Sequence, residues 1–219
     1  MRKPLLLLTT VFLPLFLALL VGGCSKTYYS AMEKVGVHKR DILVDRVEEA
    51  RDSQTEAQQQ FKSALEQFGS VVELKNTDLK QAYNKFEKEY TDCEKAAQKV
   101  SDRIDKVENV SEALFDEWED ELKLYENKEL RQSSKKQLQE TRSRYEEMLA
   151  SMHAAEKSMK PVLRTFRDNV LFLKHNLNAQ AIGSLQLEFS SLEKDIDGLL
   201  RKMNMAIAHS NTFIAQMSP

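Results

Sequence analysis

The stretch Leu138-Gln139-Glu140-Thr141-Arg142-Ser143-Arg144-Tyr145-Glu146-Glu147-Met148-Leu149-Ala150-Ser151-Met152-His153-Ala154-Ala155 decides how this chain folds. Read in alternating steps of three and four, Leu138, Thr141, Tyr145, Met148, Met152 and Ala155 fall on one line, and charged side chains crowd the opposite side. That alternation follows the helical period, and a single apolar line on a helix is the mark of packing against other helices. The line continues through Met159, Val162, Phe166, Val170, Leu173 and Leu177.

Three more such lines run through the chain. The first is Leu43, Val47, Ala50, Gln54, Ala57, Phe61, Ala64, Phe68, Val71. The second is Tyr83, Phe86, Tyr90, Cys93, Ala97, Val100, Ile104, Val107, Ser111, Leu114, Trp118. The last is Ile182, Leu185, Phe189, Leu192, Ile196, Leu199, Met203, Ala206, Ser210, Phe213, Met217. Of the 43 positions, 39 are apolar, whereas the 42% hydrophobic content of the chain would place about 18 there by chance.

Between the lines stand residues that end helices. Asn76-Thr77-Asp78 offers caps for a second helix, Asn127 interrupts the pattern before Leu130, and Asn176 and Asn178 bracket Leu177 and mark the third turn, since asparagine tolerates left-handed backbone and caps helices well. Helices of roughly 37, 50, 48 and 37 residues follow, about 55 to 75 Å long at about 1.5 Å per residue. Short turns make neighbouring helices antiparallel. The predicted fold is all-α, an elongated antiparallel four-helix bundle or coiled coil over 39–219, with the second and third helices projecting as a longer arm. Pro161 removes one helical hydrogen bond, so a bend or register slip is predicted there. Composition agrees, since six glycines and four prolines in 219 residues are too few for a turn-rich β fold or for repeated strand-to-helix crossovers.

The first residues have a different character. Arg2 and Lys3 precede an uncharged apolar run from Leu5 to Val21, the layout of a secretory signal over 1–23. The run ends in Val21-Gly22-Gly23-Cys24-Ser25, which resembles the bacterial lipobox, so Cys24 is the predicted lipidation site. The alternatives are an uncleaved membrane anchor, short for spanning about 30 Å of hydrocarbon, and a plain cleaved signal. Ser25 in place of Asp points to the periplasmic face of the outer membrane in a Gram-negative envelope. Residues 24–38 form a membrane-proximal linker, although Tyr28, Tyr29, Met32, Val35 and Val37 make it apolar for a free one. The net charge of −2, with 32 basic and 34 acidic residues, leaves no basic domain for nucleic acid. Cys93 alone remains once Cys24 is acylated, so no disulfide is expected.

Three stretches carry a resemblance: Tyr28-Tyr29-Ser30-Ala31-Met32-Glu33-Lys34-Val35-Gly36-Val37-His38-Lys39-Arg40-Asp41, Ala113-Leu114-Phe115-Asp116-Glu117-Trp118-Glu119, and Val170-Leu171-Phe172-Leu173-Lys174-His175-Asn176-Leu177-Asn178-Ala179. They look like a family of proteobacterial lipoproteins grouped as a domain of unknown function, similar over essentially the whole exported chain. The resemblance implies a lipid anchor and a helical body, and brings no catalytic residue or cofactor with it.

Motifs of chemistry are missing from the sequence: there is no Walker loop, no His-Glu-x-x-His and no cysteine pair at metal spacing. None of His38, His153, His175 and His209 has a glutamate three residues before it, as bundle metal sites require, so neither metal nor cofactor is expected. Asn109-Val110-Ser111 is read as a chance glycosylation match, and Cys93, on the second line between Asp92 and Glu94, as an inert buried thiol.

Two regions are candidates for partner contact, and the arm around Leu114 to Leu130 is the first choice. Phe115, Trp118 and Tyr125 concentrate aromatics on the arm, where core packing is the simpler reading. Lys174, His175, Asn176 and Asn178 crowd one turn at a bundle tip, where helix capping is the simpler reading. The expected function is a non-enzymatic, lipid-anchored scaffold, spacer or accessory subunit that meets an envelope protein, with homo-oligomerisation open. The alternatives are a helical-hairpin adaptor, a small-ligand carrier or an envelope enzyme.

Overall fold

The computed structural model of the chain describes residues 29, 32, 36–73, 79–176 and 179–217. Four helices make up almost all of them: α1 Lys39–Val72, α2 Leu79–Glu121, α3 Lys128–His175 and α4 Ala179–Met217. The described residues include no strand. The helices are 34, 43, 48 and 39 residues long, so the middle two are the longest, as expected. The expected caps at Asn76, Thr77 and Asp78, together with Leu177, Asn178 and Cys24, lie outside the described residues.

Each helix packs on two neighbours in a closed ring, α1 on α2 and α4, α3 on α2 and α4. Cross-helix pairs fix an antiparallel register throughout. Lys39 meets Glu117 and Lys99 meets Glu56 between α1 and α2. Arg142 meets Glu119 and Ser101 meets Glu156 between α2 and α3. Arg51 reaches Asn211 and Gln58 reaches Asn204 between α1 and α4. The apolar lines read from the sequence are the lines that pack: Leu177 aside, 38 of the positions are buried, and Tyr90, Ala97, Trp118 and Phe189 are half-buried.

The core has two aromatic belts with a slimmer waist between them. Near the α1–α2 turn, Phe68 stacks on Phe86 at 4.8 Å, Phe86 meets Phe166 edge-on at 5.7 Å, and Phe189 tilts against Phe68 at 5.8 Å, so that one cluster joins all four helices. A Cβ at Gly69 would come within 3.2 Å of the Phe189 ring, and glycine in that turn is what lets the ring close in. At the other end, Tyr145 makes edge contacts with Phe115 at 5.4 Å and Phe213 at 6.2 Å. The waist is built from Ala50, Ala57, Val100, Met152, Ala155, Met203 and Ala206, all buried. Gln54 is buried among them with neither side-chain Nε2 nor Oε1 hydrogen-bonded.

Helix ends follow the chemistry read from the sequence, with one difference. Asn127 caps α3, its side-chain oxygen accepting from the amides of Glu129 at 2.9 Å and Leu130 at 3.1 Å. Asn176 caps the other end, but at φ −131 it does not use left-handed backbone; its Nδ2 donates to the carbonyl of Phe172 and its amide to that of Leu173. Pro161 lies inside α3, which continues past it as helix. The amide that proline lacks would have bonded the carbonyl of Lys157, on the exposed side of the helix that is open to solvent.

Tyr29 is buried, and Met32 and Val37 pack half-buried against the core. The segment before α1 is thus partly incorporated in the body, as its apolar composition suggested.

Candidate functional site

The end of the bundle that carries the start of α1 also carries the α2–α3 arm. Lys39 at the start of α1 pairs with Glu117, the Arg40 guanidinium donates to the carbonyl of Met217, and Arg142 of α3 pairs with Glu119. The α3 residues before Arg142 therefore extend past the ends of α1 and α4, by about 20 Å at about 1.5 Å per residue. On the α2 side the helix tightens as it ends, with Lys123 and Leu124 donating to the carbonyls three residues back, Asp120 and Glu121.

Inside the arm the aromatics are structural. Phe115 is buried under the Arg142 guanidinium, 5.0 Å from the ring centre, and the half-buried Trp118 donates Nε1–H to Ser134 Oγ at 2.8 Å. Of the three aromatics named from the sequence, Tyr125 alone faces solvent, 40% exposed. With it at the tip stand Leu124, 79% exposed, and Leu130, 58% exposed. Around them Lys123, Lys128, Arg131, Lys135 and Lys136 are exposed, against Glu126 and Glu129. Lys128 and Arg131 lie in the first turn of α3, where the helix dipole disfavours cations, so their position does nothing for the helix itself.

Midway along the rod, His153 is clamped between two carboxylates. Its Nε2 lies 3.1 Å from Glu108 of α2, its Nδ1 lies 3.1 Å from Glu156, and Ser101 donates to Glu156 at 2.7 Å. Desolvation pulls the imidazole pKa down, but hydrogen bonds and charge from Glu156 and Glu108 outweigh it and the pKa lies above its ordinary value. For Glu156, desolvation raises the pKa while hydrogen bonds from Ser101 and His153 and the charges of His153 and Lys160 more than offset it, so it lies below the ordinary carboxylate value. The signs then give a window. The histidine contribution is complete below its unfolded value and lost as pH rises through the raised one; the carboxylate contribution is lost only when pH falls through the depressed one. The α2–α3 clamp therefore holds best in mildly acid solution. His153→Gln is expected to flatten the dependence of Tm on pH between about 5 and 8, with little effect at the alkaline end; a wild-type-like slope would refute it. Sequence reasoning looked for Glu before His and missed the reverse spacing, His153-x-x-Glu156; Glu108 comes from another helix and gave no local signal.

Other named residues are placed more simply. Cys93 is fully buried, its Sγ 3.6 Å from the carbonyl of Gln60, and burial followed by the charges of Glu89 and Asp92 pushes its pKa far up, so the thiol stays protonated and shielded. Lys174 and His175 are exposed in the last turn of α3, at the favourable end of its dipole, with Asn176 beside them as the cap. Tyr145 is held protonated by burial, which pushes its pKa up to about 12, with Ser111 Oγ 2.6 Å from its hydroxyl. Among the described residues, no group of three or more His, Cys, Asp and Glu is placed to hold a metal ion, and no helix is long and apolar enough to cross a membrane.

Compared with known proteins, residues 28–217 match a family model described as a protein of unknown function (DUF2959). No curated protein and no solved structure matches.

Proposed function

We propose, from the premise that this chain belongs to the DUF2959 family of proteins of unknown function, that it is a lipid-anchored spacer or scaffold of the cell envelope without catalytic activity of its own. One observation carries the reading: the four apolar lines are consumed in packing against one another, and the product is a slender rod with the start of α1 and the arm at one end and Lys174 and His175 at the other. Groups with displaced pKa values support it. Tyr83 and Tyr90 donate to the glutamates four residues on in α2, Cys93 lies inside the core, and His153 bridges two helices, so they stabilise the rod one by one and do not converge in a cleft.

In this reading residues 1–23 export the chain, Cys24 carries the acyl chains, and Ser25 sends it to the inner face of the outer membrane. An envelope protein meets the rod at its distal tip around Lys174 and His175. Radiolabelled palmitate is expected to enter the wild-type chain and to be absent from Cys24→Ala, which moves from the membrane to the soluble fraction. Undiminished labelling of Cys24→Ala would overturn the anchor. A photoreactive group at His175 in intact cells is expected to capture one discrete partner, and capture at Leu187 but not at His175 would remove the tip from consideration.

A further inference from the structure

We propose that the tip of the α2–α3 arm, Leu124, Tyr125 and Leu130 with the cations around them, rests on an anionic phospholipid surface as a second membrane contact; this deepens the anchor reading and rests on it. Leu124 and Tyr125 on the α2–α3 turn and Leu130 in the first turn of α3 are exposed and take no part in the core. Their surroundings suit the interface between water and lipid. From Lys123 to Lys136 the chain has five cations and two carboxylates, a local positive excess on a chain whose net charge is −2. Lys123 is paired with Asp120 and Lys136 with Glu140, and Lys128, Arg131 and Lys135 sit with Lys136 on the one helix, solvent-facing. Leucine and tyrosine side chains sink into the headgroup and acyl boundary, and each lysine or arginine near an anionic surface adds several-fold to binding.

The length of chain ahead of the rod selects this occupant over a protein. Tyr29 is buried in the body and stands five residues after Cys24, so an acylated Cys24 lies within about 17 Å of it at full extension. The arm leaves the body at the end where α1 begins and extends some 20 Å past α1 and α4 at about 1.5 Å per residue. A leash shorter than the overhang brings the tip to the bilayer. One covalent anchor alone leaves the rod free to tilt and rotate; a second contact fixes its direction.

The test uses the full acylated chain in phosphatidylethanolamine–phosphatidylglycerol vesicles. An environment-sensitive nitrobenzoxadiazole label is placed on Leu124→Cys or, as the distal comparison, on Leu187→Cys, which replaces a residue 82% exposed on α4. Buried Cys93 escapes the reagent. The label at 124 is expected to brighten several-fold on vesicle binding and to be quenched by lipids with nitroxide headgroups, while the label at 187 is unchanged. Replacing phosphatidylglycerol by phosphatidylcholine, or Arg131 and Lys135 by Gln, reduces the change. Vesicle-bound protein with equal signals at 124 and 187 would overturn the arm contact and leave the anchor standing. Protein that fails to float with vesicles would overturn the anchor and the arm contact together. A signal at 124 that rises with protein concentration in the absence of vesicles assigns the tip to a second copy of the chain instead.

Discussion

Phe86→Ala is expected to lower the unfolding free energy by about 3 to 5 kcal/mol. Phe86 is fully buried on α2, stacked on Phe68 of α1 and edge-on to Phe166 of α3, and Phe189 of α4 joins through Phe68. Removing one ring takes away its transfer free energy and also leaves a void that four rigid helices cannot collapse to fill. Aromatic contacts beyond burial add about 1 kcal/mol per pair. A urea midpoint shows the loss directly, and Tm should fall by about 10 °C for a chain of this size. Leu130→Ala, at the exposed tip, should stay within about 0.5 kcal/mol of wild type. A loss below about 1 kcal/mol for Phe86→Ala would mean that the belt near the α1–α2 turn does not bind the four helices as described.

Gln54→Met should do the opposite and stabilise the fold, by about 1 to 3 kcal/mol. Gln54 has no solvent exposure and no hydrogen bond from either amide atom. Burying an unpartnered amide costs about that much, and methionine has nearly the same length and shape without the polar group. Gln54→Ala provides the control, since it removes the amide but opens a cavity, and should gain less or lose. A fall in stability for Gln54→Met would show that the amide does have a partner.

Much of this architecture was legible because helix packing is written locally. Val100, Ile104 and Val107 recur at helical spacing in one short segment, and the side they share needs no knowledge of what covers it. Trp118 was legible too: it falls on the second apolar line, and its half-buried place against Ser134 follows from that register more directly than from its type. Leu124 and Leu130 belong to none of the four lines and face water, but Phe115 and Val110 also lie off the lines and are buried, so the lines alone did not tell these apart. Features that depend on a partner far along the chain were not legible. Lys39 reads as a solvated lysine at the start of a helix, yet it is 7% exposed and paired with Glu117 at 2.8 Å, which only the antiparallel register brings near. The His153 clamp draws Glu108 from α2 and Glu156 from its own helix, and only the second has a fixed spacing in sequence.

The contact between Arg40 and the Met217 carbonyl brings the first and last helices side by side, and with α1 packed on α4 the order of elements has no intrinsic beginning. A circular permutant with a short bridge from Met217 to His38, reopened at the Asn127 turn, would keep the four helix–helix interfaces, give up the contacts of Tyr29, Met32 and Val37, and move both free ends to the arm. In such a molecule an acyl group attached at the new amino terminus would tether the rod by its overhang.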